Sequence, residues 1–166
     1  QAGVTGVILG NVSAINDALA TASVTDTNVA TTAAIQQLVD AYLAIFNAAN
    51  GVDNLSNINP TQANYANIGI NGVDSAAKTS LLGDAIDIKF STGVDTIIEI
   101  QALAQSVLAV MHQANGMIGL TQDQLTSLGV TGLTTDNLPA VLLAIANTAD
   151  DGTGVDTLSE LQTLVS

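Results

Sequence analysis

The 166-residue sequence predicts an all-α protein made of tandem three-helix repeats, each about 60–66 residues long, stacked into an elongated helical array. Two observations lead to this prediction. Short sequence blocks recur along the chain in a fixed order, which is the signature of a repeat architecture. Apolar residues also recur at steps of three and four between Thr-based start signals and glycine stop signals, which indicates helices that bury one face.

Four blocks define the repeat. The longest is GVDTIIEIQAL at 93–103, which returns as GVDTLSELQTL at 154–164 and, more weakly, as NVATTAAIQQL at 28–38. Four blocks in a single order are not expected by chance. The other three are GINGV at 69–73 with GVTGL at 129–133 and GVTGV at 3–7, Ala-Asn-Gly at 49–51 and 114–116, and PTQANY at 60–65 with LTQDQL at 120–125.

The block order divides the chain into three units. Repeat 1 covers 1–51 and holds the second and third helices of a unit, repeat 2 covers 52–116 and is complete, and repeat 3 covers 117–166 with its last helix truncated. We therefore expect an excerpt of a longer array, or a subunit whose ends are completed by neighbours. A unit of about 60 residues is marginal alone, so stacking should supply the missing buried surface.

The first helix of each unit is short and is predicted at about 61–68 and 121–128. A threonine suited to the N-cap precedes each segment, and a glycine suited to left-handed backbone follows it. These residues are Thr61 and Gly69 for the earlier helix and Thr121 and Gly129 for the later one.

The second helix is predicted at about 10–22, 74–90 and 134–149. Proline is tolerated only in the first turn of a helix, because it lacks the amide that later turns require. Pro139 therefore predicts a late start for the last of these helices, near Asn137.

The third helix is the longest, and a capping box opens it. In Thr96-Ile-Ile-Glu99 and Thr157-Leu-Ser-Glu160, the threonine hydroxyl is expected to accept from the amide three residues on while the glutamate reaches back. These are the two glutamates of the chain, so capping explains them better than catalysis does. An Asn-Gly pair at 50–51 and at 115–116 then predicts the end of the helix.

Composition excludes several classes of function. The chain has two lysines, no arginine and fifteen acidic residues, for a net charge of −13. No basic cluster exists to displace counterions from phosphate, which excludes a nucleic-acid interface and argues against docking on anionic membranes. The absence of cysteine excludes disulfides and thiol chemistry. No apolar run approaches the roughly 18 residues of a membrane-spanning helix.

No catalytic motif is present, and no cofactor is expected. His112, the single histidine, lies where it can interact with the negative end of the third helix. Calcium is the one ligand left open, because Asp150, Asp151 and Asp156 surround a glycine-rich loop and hard cations prefer several oxygen ligands. The spacing does not fit an EF-hand, and aspartates at helix ends explain the same residues without a metal.

The blocks quoted above resemble tandem helical repeats of very large bacterial surface and secreted proteins of the adhesin and biofilm-matrix type. The resemblance covers nearly the whole chain and includes NVSAI at 11–15 and NLPAV at 137–141, which open the second helix. Repeat 1 departs from the pattern at Ala30 and Ala34, where Asp and Glu are usual, so its cap should be weaker. The resemblance implies an extracellular structural or adhesive role and no catalytic residues.

We therefore expect a non-enzymatic extracellular structural protein of a bacterial cell surface, acting as a stalk or spacer or as a self-assembling filament subunit. Its expected partners are neighbouring repeats or further copies of itself docked head to tail, without nucleic acid or membrane insertion. The truncated last helix is expected to expose an apolar stripe there. The residues expected at this repeat interface are Leu158, Leu161, Leu164, Val165, Val4 and Val7.

The alternative is a binding module that recognises a host protein or glycan. Such a module needs a contiguous exposed apolar or aromatic patch. Tyr65 and Phe90 are the candidates for it, although both are better suited to filling the core.

Overall fold

The computed structural model describes residues 3–52, 58–149 and 151–165, which form eight α-helices. Within these residues no β-strand occurs, and β-type pairing is confined to one isolated bridge between Asn50 and Phe90. The predicted all-α class is confirmed. The helices are α1 (Val12–Ala20), α2 (Thr32–Ala48), α3 (Gln62–Asn67), α4 (Ala76–Asp87), α5 (Ile97–Ala114), α6 (Gln122–Ser127), α7 (Leu138–Ala146) and α8 (Leu158–Thr163), with 3₁₀ turns at Asp26–Val29 and Ser91–Gly93.

The short helices α3 and α6 lie within the predicted segments and share one kind of cap. The Thr61 hydroxyl accepts from the Asn64 amide at 3.3 Å, and Asn64 Oδ1 accepts from the Thr61 amide at 2.8 Å. Thr121 and Gln124 make the same reciprocal pair. An amide side chain thus takes the place of glutamate in a capping box. A glycine with positive φ follows each helix, Gly69 at +84° and Gly129 at +105°.

The second helices of the units, α1, α4 and α7, are shorter than the sequence predicts. Ser75 caps α4, so that helix begins at Ala76 and the residues before it belong to the loop. In α7, Asn137 is the N-cap and Pro139 lies in the first turn, where its missing amide costs no hydrogen bond. The predicted late start of this helix is confirmed.

The two long helices, α2 and α5, differ at their starts. Thr31 caps α2 without a reciprocal side chain, because Ala34 stands where Glu99 completes the capping box of α5. Gly51 follows α2 with φ +83°, and a Cβ added there would lie 2.5 Å from Cε1 of Phe90. Both the backbone conformation and the close aromatic ring therefore require glycine at this position.

The core is aliphatic, with two fully buried tyrosines, Tyr42 and Tyr65. The Tyr42 hydroxyl donates to the Val94 carbonyl at 3.0 Å, and its ring lies 5.2 Å from that of Phe46. Among the described residues, no helix has both the length and the apolar composition that crossing a membrane requires. The largest fully buried aliphatic side chains are those of Leu38, Ile45, Ile68, Leu81, Leu82, Ile86, Ile100, Leu125, Leu128 and Ile145.

Candidate functional site

The helices of successive sequence repeats contact each other in matching pairs. Helix α2 of repeat 1 packs on α3 and α4 of repeat 2, and α5 of repeat 2 packs on α6 and α7 of repeat 3. Helix α1 packs on α5, and α4 packs on α8. Each of these helix pairs between repeats 1 and 2 thus has a counterpart between repeats 2 and 3. These contacts are the candidate functional site.

A glutamine on the third helix of each repeat binds the backbone of the glycine loop that precedes the second helix. Gln101 Oε1 accepts from the Asn71 amide at 2.9 Å, while its Nε2 donates to the Asn71 carbonyl at 3.1 Å. We call this pair of bonds the glutamine clamp. Because it uses both ends of the side-chain amide, it fixes the loop in one orientation. The same two bonds join Gln36 to Thr5 and Gln162 to Thr131.

A carboxylate joins each repeat to the next. Asp17 Oδ2, on α1, accepts from the Ile97 amide at the start of α5 at 2.7 Å. Asp84 Oδ2, on α4, accepts from the Leu158 amide at the start of α8 at 2.9 Å. The first amides of a helix have no partner within the helix, and the helix dipole favours a negative charge there. We call these two contacts the aspartate latches.

The latch does not recur on α7. Leu143 follows Gly132 by the same eleven residues that separate Asp17 from Gly6, and its side chain is 63% exposed. The position on α7 that corresponds to the latch therefore carries an apolar side chain.

Each latch lies within a group of carboxylates. Burial and the nearby charges of Glu99 and Asp17 raise the pKa of Asp95 above its ordinary value. Burial, the Glu160 carboxylate and the charge of Asp84 raise the pKa of Asp156 in the same way. The first carboxylate cluster consists of Asp17, Asp95 and Glu99, and the second of Asp84, Asp156 and Glu160.

Lys89 forms a second link between repeats 2 and 3. Its Nζ donates to the carbonyl of Ser127 at 2.7 Å. Ser127 is the last residue of α6, so the ammonium group lies at the negative end of that helix. Burial lowers the pKa of Lys89. The other lysine, Lys78, pairs with Asp74 four residues before it, at 2.6 Å.

Most of the residues predicted for the repeat interface are buried or partly buried by other residues of the same chain. Leu158 and Leu161 are buried, which corrects the expectation that they lie on an exposed apolar stripe. The physical reason is the latch, because Asp84 holds the Leu158 amide while the Leu158 side chain packs beside Gly129. Leu164, Val165 and Val4 are partly buried against the core, and Val7 is 40% exposed.

The capping residues take the positions that the sequence predicts. Thr96 and Glu99 form a capping box at the start of α5, and Thr157 and Glu160 form one at the start of α8. Both glutamates therefore bind the threonine of their own capping box, and each also belongs to one of the carboxylate clusters.

The calcium prediction gains no support from the side chains that the structure describes. Asp150 lies outside the described residues. Asp151 Oδ1 accepts from the amide and the hydroxyl of Thr153, which lowers the pKa of Asp151, and Asp156 faces Glu160 instead of the loop. In the described ranges no three His, Cys, Asp or Glu side chains are arranged to hold a metal ion.

The histidine and the aromatic candidates lie in different surroundings. His112 is exposed in the last turn of α5. Tyr65 is buried, whereas Phe90 is 69% exposed and covers Gly51. An open groove of about 520 Å³ between repeats 1 and 2 is lined in part by Ile98, whose side chain is 80% exposed.

The clamp and the latches are not among the residues predicted from the sequence. The glutamines carried a signal, since all three hold the same place in the longest block. The latch aspartates gave a weaker sequence signal, because they do not align between the repeats. Repeat 2 has one more residue between its glycine loop and Asp84 than repeat 1 has between its glycine loop and Asp17.

Comparisons with protein-family models, with curated proteins and with solved structures give no match for this chain. The geometry of the repeated contacts is therefore the basis for assigning a function.

Proposed function

We propose that the chain is a non-enzymatic structural repeat protein, which serves as a stalk or spacer, or as a self-assembling filament subunit, of a bacterial surface or matrix adhesin. The observation that carries the proposal is the recurrence of the aspartate latch. Asp17 and Asp84 bind the first amide of a third helix that begins 80 and 74 residues later, respectively. A contact that recurs between successive units is what a stacked array requires.

The helix pairs support stacking of tandem three-helix units. The contacts of α2 with α3 and α4 match those of α5 with α6 and α7. When every unit meets the next in the same way, the units follow one another along a single direction. Such a chain transmits force or spans distance through its packing and needs no reactive group.

The surface chemistry is compatible with an extracellular array. Thirteen aspartates and many Thr, Ser and Asn side chains keep the surface polar without basic clusters, and the net charge of −13 opposes aggregation. In the filament form, contact between chains would involve apolar side chains that stay partly exposed. The candidates are Val4, Val7, Leu164 and Val165.

Small-angle X-ray scattering tests the proposed shape. A compact domain of 166 residues has a radius of gyration of about 15 Å. We expect a clearly larger value at low protein concentration, together with the distance distribution of a rod. A radius of gyration of about 15 Å with a symmetric distance distribution would contradict the array.

Light scattering coupled to size-exclusion chromatography then separates the two forms of the proposal. A stalk or spacer stays monomeric as the protein concentration rises, whereas a filament subunit grows in mass.

A further inference from the structure

Helix α7 is apolar on every side and is only partly covered. Its nine residues, LPAVLLAIA, include no polar side chain, yet only Val141 and Ile145 are buried. A helix that is apolar all round is normally covered on all its faces. Ala140 and Leu143 are exposed, and Ala144 is half-buried. We call these last three residues the α7 surface.

The same positions are buried in the other two repeats. Ala140 and Ala144 lie three residues before and one residue after the latch position, which Leu143 occupies on α7. Their counterparts on α1 and α4 are at most 2% exposed, and both of those helices pack on the third helix of the following repeat. No such helix lies on α7 in the described part of the chain. The four buried counterparts are Ala14 and Ala18 on α1 and Leu81 and Ala85 on α4.

The start of α2, residues 30–34, is the matching uncovered surface. Thr32 and Ala33 are exposed there. At the place of Thr32, α5 has Ile97 and α8 has Leu158, and both of these residues are buried. Those two starts are covered because α1 and α4 pack on them and bind their first amides. We call residues 30–34 the α2 start.

The α7 surface and the α2 start also match in chemistry, because both lack the carboxylates of the joined positions. Leu143 stands on α7 where α1 and α4 carry the latch aspartate. Ala30 and Ala34 stand on α2 where α5 and α8 carry an aspartate before the N-cap and a glutamate in the capping box. A contact between two apolar surfaces gains from burial without the cost of removing carboxylates from water.

We propose that the α7 surface of one chain docks on the α2 start of a second copy, so that copies join head to tail as the repeats do within the chain. The inference rests on the proposed function, because it identifies surfaces through which the filament form assembles. Leu143 takes the place of the latch carboxylate and packs on the alanines of the α2 start. Because the two surfaces differ, the contact is heterologous and copies can keep adding.

Charge makes this contact sensitive to salt. Two copies that each carry a net charge of −13 repel each other, and added salt screens that repulsion. An apolar contact between them should therefore strengthen as the ionic strength rises, whereas a contact made by ion pairs would weaken.

Light scattering coupled to size-exclusion chromatography of the full chain tests the proposal, from about 10 µM to about 1 mM protein in about 0.5 M NaCl. We expect the average mass to rise above 16.7 kDa with protein concentration. Leu143→Ser removes the large apolar side chain of the α7 surface, and Ala30→Asp gives the α2 start the charge that the joined starts carry. Each change should raise the dissociation constant at least about tenfold.

An equal mixture of the two variants separates a head-to-tail contact from a symmetric one. Each variant keeps the surface that the other lacks, so the mixture should form dimers of twice the chain mass and grow no further. A contact of α7 with α7 would instead leave Ala30→Asp as associated as the parent chain, and this result would overturn the proposal.

Ile118→Ser and Ala102→Asp are the matched controls, because they make comparable changes at exposed positions outside both surfaces. Both should associate as the parent chain does, and a loss equal to that of the two test variants would overturn the proposal. All four substitutions lie at exposed positions, so thermal unfolding midpoints should stay close to that of the parent.

A parent chain that stays at 16.7 kDa up to about 1 mM overturns the head-to-tail contact. If that chain still scatters X-rays as a rod, the stalk or spacer form of the proposed function stands without it. Compact scattering would contradict the proposed function as well.

Discussion

The two buried tyrosines differ by one hydrogen bond. The Tyr42 hydroxyl donates to the Val94 carbonyl of the next repeat, whereas in the described part of the chain the buried Tyr65 hydroxyl has no hydrogen-bond partner. A buried polar group without a partner costs free energy, and a partnered one returns a small net gain. The same residue type thus has opposite effects at the two positions.

Replacing each tyrosine by phenylalanine should separate these effects. Tyr42→Phe leaves the Val94 carbonyl unpaired and should lower the free energy of unfolding by about 1–2 kcal/mol. Tyr65→Phe removes an unpaired hydroxyl and should leave that free energy unchanged or raise it by up to about 1 kcal/mol. Urea unfolding of the two variants measures both, and an equal loss for both would contradict the assigned hydrogen bonds.

At the scale of helices, the short elements depend on links to the long ones. Helices α3, α6 and α8 have six residues each, which is too few to persist in water without tertiary contacts. The glutamine clamp is such a link, because Gln101 on α5 fixes the loop between α3 and α4. The long third helix therefore organises its own unit.

Removing one clamp should loosen that loop. Gln101→Ala deletes both bonds to Asn71 and should lower the free energy of unfolding by about 1 kcal/mol, since both bonds are exposed to solvent. Gln105→Ala, one turn further along the exposed face of α5, is the matched control and should change it by less than about 0.5 kcal/mol. Urea unfolding measures both, and equal losses would show that the clamp contributes nothing specific.

At the scale of the whole molecule, similar helix contacts join repeat 1 to repeat 2 and repeat 2 to repeat 3. The aspartate latches join residues 80 and 74 positions apart, and the helices they join have few other contacts with each other. In a chain held by contacts between neighbouring units, weakening one contact opens that region before the rest. The latch at Asp17 should therefore control amide hydrogen exchange at the start of α5.

Asp17→Ala tests this expectation. It leaves the Ile97 amide without its acceptor, so hydrogen exchange at that amide should accelerate at least tenfold while exchange in α7 is unchanged. Asn16→Ala alters the exposed neighbouring residue and serves as the control. Uniform acceleration across all helices would instead show that the chain unfolds as one unit without separate joints.

The sequence alone determined the all-α class, the starts of the helices at Thr61, Thr96, Thr121 and Thr157, and the glycines that follow the first three of these helices. These features depend on residues within one turn of each other, so local caps and backbone preferences suffice. Only the tertiary structure decided which carboxylates meet and that Leu158 is buried. Those outcomes depend on packing between residues more than seventy positions apart, and a single inserted residue in repeat 2 hides the correspondence of Asp17 with Asp84.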